Sequence, residues 1–172
     1  MNYIKITKTD IANGPGIRVV LWVSGCRCKC KGCHNQSTWD FNTGKLFDEN
    51  AKKEIYDALS KPWIRGLTLS GGHPLEPENC NDSFYWFIKQ LKHDFPNKDI
   101  WLYTGWKWET LCDHDVAWDL IRECIDVVVD GPYIEELRNI SLKFRGSENQ
   151  RLIDVKKTLE KGEIVHWDEI NC

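Results

Sequence analysis

Along the chain, short apolar runs alternate with longer segments whose apolar residues recur every three or four positions. Residues 17–24, IRVVLWVS, are nearly all apolar and rich in β-branched side chains, which predicts a buried strand. Residues 48–62 predict a helix: Asp48 can cap it, Ala51, Ile55 and Leu59 share one face, and Pro62 stops it. A second strand is expected at 66–72, ending in glycines. A second helix follows at 83–96, with Phe84, Phe87, Ile88 and Leu91 facing inward. A strand at 99–105, a helix at 115–124 carrying Val116, Leu120 and Ile121, and strands at 125–131 and 151–155 complete the pattern. Residues beyond about 156 are polar and read as a loosely held tail.

Strand–helix–strand order predicts right-handed βαβ units and a mainly parallel, curved sheet in a single α/β domain spanning 1–172. In such folds the loops at the carboxyl ends of the strands carry the chemistry. The cysteine-rich stretch follows the first predicted strand, GGHP the second, TGW the third, and an Asp-Gly pair the fourth. All of them therefore fall on one edge of the sheet.

With 172 residues the chain can bury a core without covalent staples. Its net charge of −3, with lysines and arginines spread along the chain, argues against nucleic acid as the partner. The opening MNYIKITKTD has no continuous apolar stretch, and no segment approaches membrane-spanning length, so a cytoplasmic protein with no membrane partner is expected. In that compartment the eight cysteines are expected to be free or metal-bound rather than paired.

Four of the cysteines, Cys26, Cys28, Cys30 and Cys33, lie within SGCRCKCKGCHN. Structural zinc sites usually draw on two separated close pairs. Here only Cys30 and Cys33 have that spacing, and Cys80, Cys112, Cys124 and Cys172 stand alone. Cys26, Cys30 and Cys33 form C-x3-C-x2-C. Three thiolates on a four-iron cluster would leave one iron open to a small molecule. The alternative reading is a zinc knot or a rubredoxin-like iron site that takes Cys28 as a fourth ligand.

C-x3-C-x2-C after one strand and a Gly-Gly pair after the next resemble the radical SAM enzymes. NGPGIR (13–18), SGCRCKCKGCHNQSTW (24–39), LSGGHPL (69–75), DIWLYTGW (99–106), DVVVDGPY (126–133) and RGSENQ (145–150) are similar, in order, to the activating proteins of anaerobic ribonucleoside-triphosphate reductases. The resemblance implies an incomplete (βα) barrel of the radical SAM type. It implies a [4Fe-4S] cluster on Cys26, Cys30 and Cys33, with Cys28 spare, and S-adenosyl-L-methionine as the second cofactor. Gly32, Cys33 and His34 would pass beside that molecule, and Gly71, Gly72 and His73 would bind its methionine end. Family members usually carry Glu or Asp at the position of His73. Asn13 and Arg18 would either stand near the protein substrate or belong to a simple turn, and Tyr103, Thr104 and Gly105 would line the cavity or pack at a strand end. The implied reaction is reductive cleavage of S-adenosylmethionine. The resulting 5′-deoxyadenosyl radical takes a hydrogen atom from a glycine of the reductase large subunit, with a flavodoxin-type protein as electron donor. Two other readings stay open: an activase for a different glycyl-radical enzyme, and a non-catalytic zinc- or iron-binding docking module.

Overall fold

The computed structural model describes residues 1–168. Seven strands form one sheet: β1 (Asn2–Asp10), β2 (Ile17–Val23), β3 (Lys45–Leu46), β4 (Ile64–Gly71), β5 (Asp99–Tyr103), β6 (Val127–Asp130) and β7 (Arg151–Asp154). Their order across the sheet is β3-β1-β2-β4-β5-β6-β7. Five helices accompany them: α1 (Glu49–Leu59), α2 (Asp82–Asp94), α3 (Trp108–Leu111), α4 (Asp115–Cys124) and α5 (Val155–Lys161).

The expected mainly parallel sheet of an incomplete (βα) barrel is not what forms. The β2-β4, β4-β5 and β5-β6 pairings are parallel, but β3-β1, β1-β2 and β6-β7 are antiparallel. The sheet is mixed, in a small α/β protein. For β1 and β2 the reason is connection length. Parallel neighbours need a crossover of a dozen or more residues, whereas the short segment 11–16 between β1 and β2 can only turn the chain back. β1 itself alternates Ile4, Lys5, Ile6 in the period of a half-buried strand, a signal that the reading from apolar runs passes over.

Alternation along the strands divides the sheet into two faces. Val19, Leu21 and Val23 of β2, Leu67 and Leu69 of β4, Leu102 and Val128 pack with Ile55 and Leu59 of α1, Phe84, Ile88 and Leu91 of α2, and Leu120 and Ile121 of α4. Asp48 caps α1 by accepting the Ala51 N–H at 3.0 Å, as its position predicts. On α4 the expected inner residue Val116 is instead exposed, and Ala117, one position on, is buried beside Leu120 and Ile121. The opposite face carries Trp101, Val127 and Val129, covered by Phe144, Leu152 and Trp167. Trp167 and Trp101 meet edge-on at 4.9 Å. These contacts and α5 lie where a polar tail is expected. The last part of that segment, 169–172, is outside the described residues.

Among the described residues, no helix is long and apolar enough to cross a membrane.

Candidate active site

The loops that follow β2, β4, β5 and β6 converge on one cavity of about 520 Å³. Its lining includes Cys26, Cys28, Cys30, Cys33 and His34 from the first loop, Gly71, Gly72 and His73 from the second, and Tyr103, Thr104 and Gly105 from the third. Gly131 and Tyr133 enter from the fourth, and Phe144, Arg145 and Gln150 from the segment leading into β7. The motifs are separated by long stretches of chain, and the parallel register of β2, β4, β5 and β6 is what brings their ends level.

The first two loops are tied together through backbone. Gly72 N–H donates to the Val23 carbonyl at 2.8 Å, and His73 N–H to the Gly25 carbonyl at 2.7 Å. Buried Asn79 donates through Nδ2 to the carbonyls of Ser24 and His73, at 2.8 and 3.0 Å. This closeness requires the glycines. A Cβ at Gly71, whose φ is +97°, would stand 2.7 Å from the Val23 carbonyl oxygen, and one at Gly72 2.5 Å from that of Gly25. Gly71 and Gly72 thus border the cavity and also allow the two loops to meet.

Glu76, three residues after His73, holds the cysteine loop. It accepts the Arg27 N–H through Oε1 and the Arg27 guanidinium through Oε2, both at 2.7 Å. Arg27 also pairs with Glu78 and lies over the Phe41 ring at 4.6 Å. Burial pushes the Glu76 carboxyl upward. Donors from His73 and Arg27 outweigh that and hold it at about 2. Sequence reasoning did not single out Glu76. Its signal was an acid shortly after the glycine pair, facing an arginine set between two cysteines.

The four thiols of the loop are half-buried. Asn35 N–H donates to Cys33 Sγ at 3.3 Å, and the Tyr133 N–H points at Cys30. Burial raises the Cys30 thiol despite that donor. A hydrogen bond from Cys28 lowers the Cys26 thiol, and the same contact raises Cys28. Cys28 is therefore not turned away from its neighbours. Successive residues of an extended stretch alternate sides, so Cys26 and Cys28 face the cavity while Arg27 between them faces outward. Four soft sulfur donors on one cavity wall, two of them met by backbone N–H groups, make a donor set that fits an iron–sulfur cluster. Among the described residues, no three His, Cys, Asp or Glu side chains converge on a single ion position.

His73 is only 1% exposed. Its Nε2 lies 2.7 Å from Thr104 Oγ1, its Nδ1 3.5 Å from Glu76 Oε1, and its ring meets Trp106 edge-on at 4.4 Å. His34 is exposed at the mouth, with its ring 5.7 Å from that of Tyr133. Gly32 has φ +74°, a conformation that side chains rarely adopt.

Arg18, expected near a protein substrate, is instead wholly buried. It donates to Thr68 Oγ1 at 2.8 Å and to the Leu67 carbonyl at 2.9 Å, and it pairs with Asp99 at 2.5 Å. Asn13 is half-buried, bonded to Asp10 Oδ1 at 3.0 Å. Asp130 accepts the Trp108 N–H at 2.8 Å and pairs with Arg151, which also bridges to Glu109.

A family model described as a 4Fe-4S single cluster domain matches residues 12–153. The chain is also similar to proteins named anaerobic ribonucleoside-triphosphate reductase-activating protein. That of Enterobacteria phage T4 is 47% identical over 152 residues, covering 88% of this chain and 93% of the relative. That of Haemophilus influenzae is 43% identical, covering 87% and 96%, and that of Escherichia coli K12 is 40% identical with the same coverage.

Proposed function

Since the chain belongs to the family of anaerobic ribonucleoside-triphosphate reductase-activating proteins, we propose that it activates such a reductase in the cytoplasm by radical S-adenosylmethionine chemistry. The observation that carries this reading is the meeting of Cys26, Cys30 and Cys33 with Gly71 and Gly72 on one cavity. Cys26, Cys30 and Cys33 would hold a [4Fe-4S] cluster. When bound, it supplies the electron that cleaves S-adenosylmethionine, so that the 5′-deoxyadenosyl radical can take a hydrogen atom from a glycine of the reductase large subunit.

The chain's own part is to bind, orient and shield. Gly71 and Gly72 present backbone with no side chain in the way, a surface suited to the methionine end of the molecule. His73 supports that loop through Thr104 and Glu76. Gly32, Cys33 and His34 border the remaining length of the molecule, and the tilted His34–Tyr133 pair offers ring surface to the adenine. Phe144, set against Trp101, and the Arg145–Gln150 stretch close the far side and keep water from a primary carbon radical. A flavodoxin-type protein is the proposed electron donor.

The test is anaerobic reconstitution with iron and sulfide, reduction, addition of S-adenosylmethionine, and quantification of methionine and 5′-deoxyadenosine. Both products are expected, and Cys26→Ser, Cys30→Ser and Cys33→Ser should each abolish them together with the cluster's absorbance. Addition of the reductase should then produce a glycyl radical signal. Tightly held zinc in place of a cluster would sink the proposal.

A further inference from the structure

We propose that Cys28 is a fourth thiolate for the cluster, bound while S-adenosylmethionine is absent and displaced when it enters. The proposal rests on the iron–sulfur reading above and adds to it a residue that the C-x3-C-x2-C pattern leaves over.

Position carries the proposal. Cys28 lines the same cavity as Cys26, Cys30 and Cys33. Its sulfur also reaches the loop after β5: a Cβ built on Gly105 would stand 2.5 Å from Cys28 Sγ. The thiol thus stands between its fellow cysteines and the loop after β5, on the wall of the cavity that would admit the small molecule. An exchangeable ligand has to occupy that place.

The loop is built to keep the thiol there. On one side Arg27 is drawn outward and pinned through both its backbone and its guanidinium to Glu76. On the other side Lys29 has φ +44°, one of two non-glycine residues with positive φ among those described. Such a conformation is strained for a side-chain-bearing residue and persists only where the surroundings impose it. Here it turns the chain between Cys28 and Cys30, and both side chains come back onto the cavity. A spare cysteine would need none of this.

Four-iron clusters ordinarily take four thiolates. With three, one iron is exposed to water and oxidants. In the closed form Cys28 gives up its proton as its sulfur bonds that iron. When S-adenosylmethionine binds, its amino nitrogen and carboxylate oxygen replace the sulfur. The proton leaving its ammonium group balances the one that Cys28 regains, and no electron moves. The loop would protect the cluster at rest without blocking its use.

The experiment compares the reconstituted 172-residue chain with Cys28→Ala and Cys28→Ser. Readouts are electron paramagnetic resonance of the reduced cluster, the rate of conversion to a three-iron form under limiting ferricyanide, and S-adenosylmethionine binding by equilibrium dialysis. Without S-adenosylmethionine, the Cys28→Ala spectrum should differ from that of the unaltered chain, and its iron loss should be several-fold faster. At saturating S-adenosylmethionine the spectra should coincide, and Cys28→Ala should bind it several-fold more tightly, because no thiolate competes. A serine oxygen can itself bind iron, so intermediate behaviour of Cys28→Ser fits the proposal. Identical ligand-free spectra and equal rates of iron loss would overturn it while leaving the cluster reading intact. Failure of the unaltered chain to form any cluster would overturn both.

Discussion

His73 Nε2 and Thr104 Oγ1 lie 2.7 Å apart, joining loops that follow two different strands. Thr104 Oγ1 also accepts the Trp106 N–H at 3.1 Å. The other ring nitrogen, Nδ1, lies 3.5 Å from Glu76 Oε1. The imidazole links the loops after β4 and β5 to Glu76, which holds the cysteine loop. Thr104→Val would strand both Nε2 and the Trp106 N–H in a buried setting. The expected cost is about 1–3 kcal/mol, read as a lower urea midpoint with an unchanged m-value.

Glu76 should make the cysteine loop sensitive to acid. Its carboxyl is held at about 2 in the folded chain, below its ordinary value of 4.5. A depressed folded value means that the stabilisation is complete above about 4.5 and is lost as pH falls towards 2. We expect about 1–2 kcal/mol to disappear across that window, allowing for solvent screening. Glu76→Gln should be less stable at pH 7 and should flatten the pH dependence. Denaturant unfolding at pH 7, 4 and 3 would test this, and an unchanged slope would contradict it.

Arg18 is a structural cation. Replacing it with Met removes the partner of Asp99, leaves Thr68 and the Leu67 carbonyl short of a donor, and loses the contact of the guanidinium with Trp101 at 5.4 Å. Breaking one side of a buried pair costs about 3–5 kcal/mol. The lower end is expected, because Arg65 also reaches Asp99, at 3.2 Å. Calorimetric unfolding should show the loss. A stability within 0.5 kcal/mol of the unaltered chain, the usual range for surface changes, would refute it.

The remaining described thiols should differ sharply in reactivity. Cys112 is exposed, whereas burial pushes Cys80 up to about 12 and Cys124 up to about 11. The thiolate is the reactive form. Iodoacetamide at pH 8, followed by peptide mass mapping, should label Cys112 quickly. Cys80 and Cys124 should be labelled only once the chain is unfolded.

The inner face of α2 was legible because Phe84, Phe87, Ile88 and Leu91 recur at helical spacing, and all four are buried. The cysteine, GGHP and TGW motifs were legible as a group, because each directly follows an apolar run, and their loops do line one cavity. The mixed sheet was not, because an apolar run marks a strand without stating its direction. The role of Arg18 was not legible for a related reason. A charged residue in a conspicuous motif suggests function, and only the pairing of β2 with β4 and of β4 with β5 brings Thr68, the Leu67 carbonyl and Asp99 around it.

What the amino-acid order determined by itself is local: the period of each helix, the cap at Asp48, the glycine pair at the end of β4, and the spacing of Cys26, Cys30 and Cys33. These depend on neighbours a few positions apart, and their physics is complete within a short segment. Tertiary structure alone decided the direction of the outer strands, the embrace of Glu76 and Arg27, the burial of His73 against Thr104, and the inward turn of Cys28. Each of these depends on which backbone passes nearby, and strand pairing sets that across tens of residues.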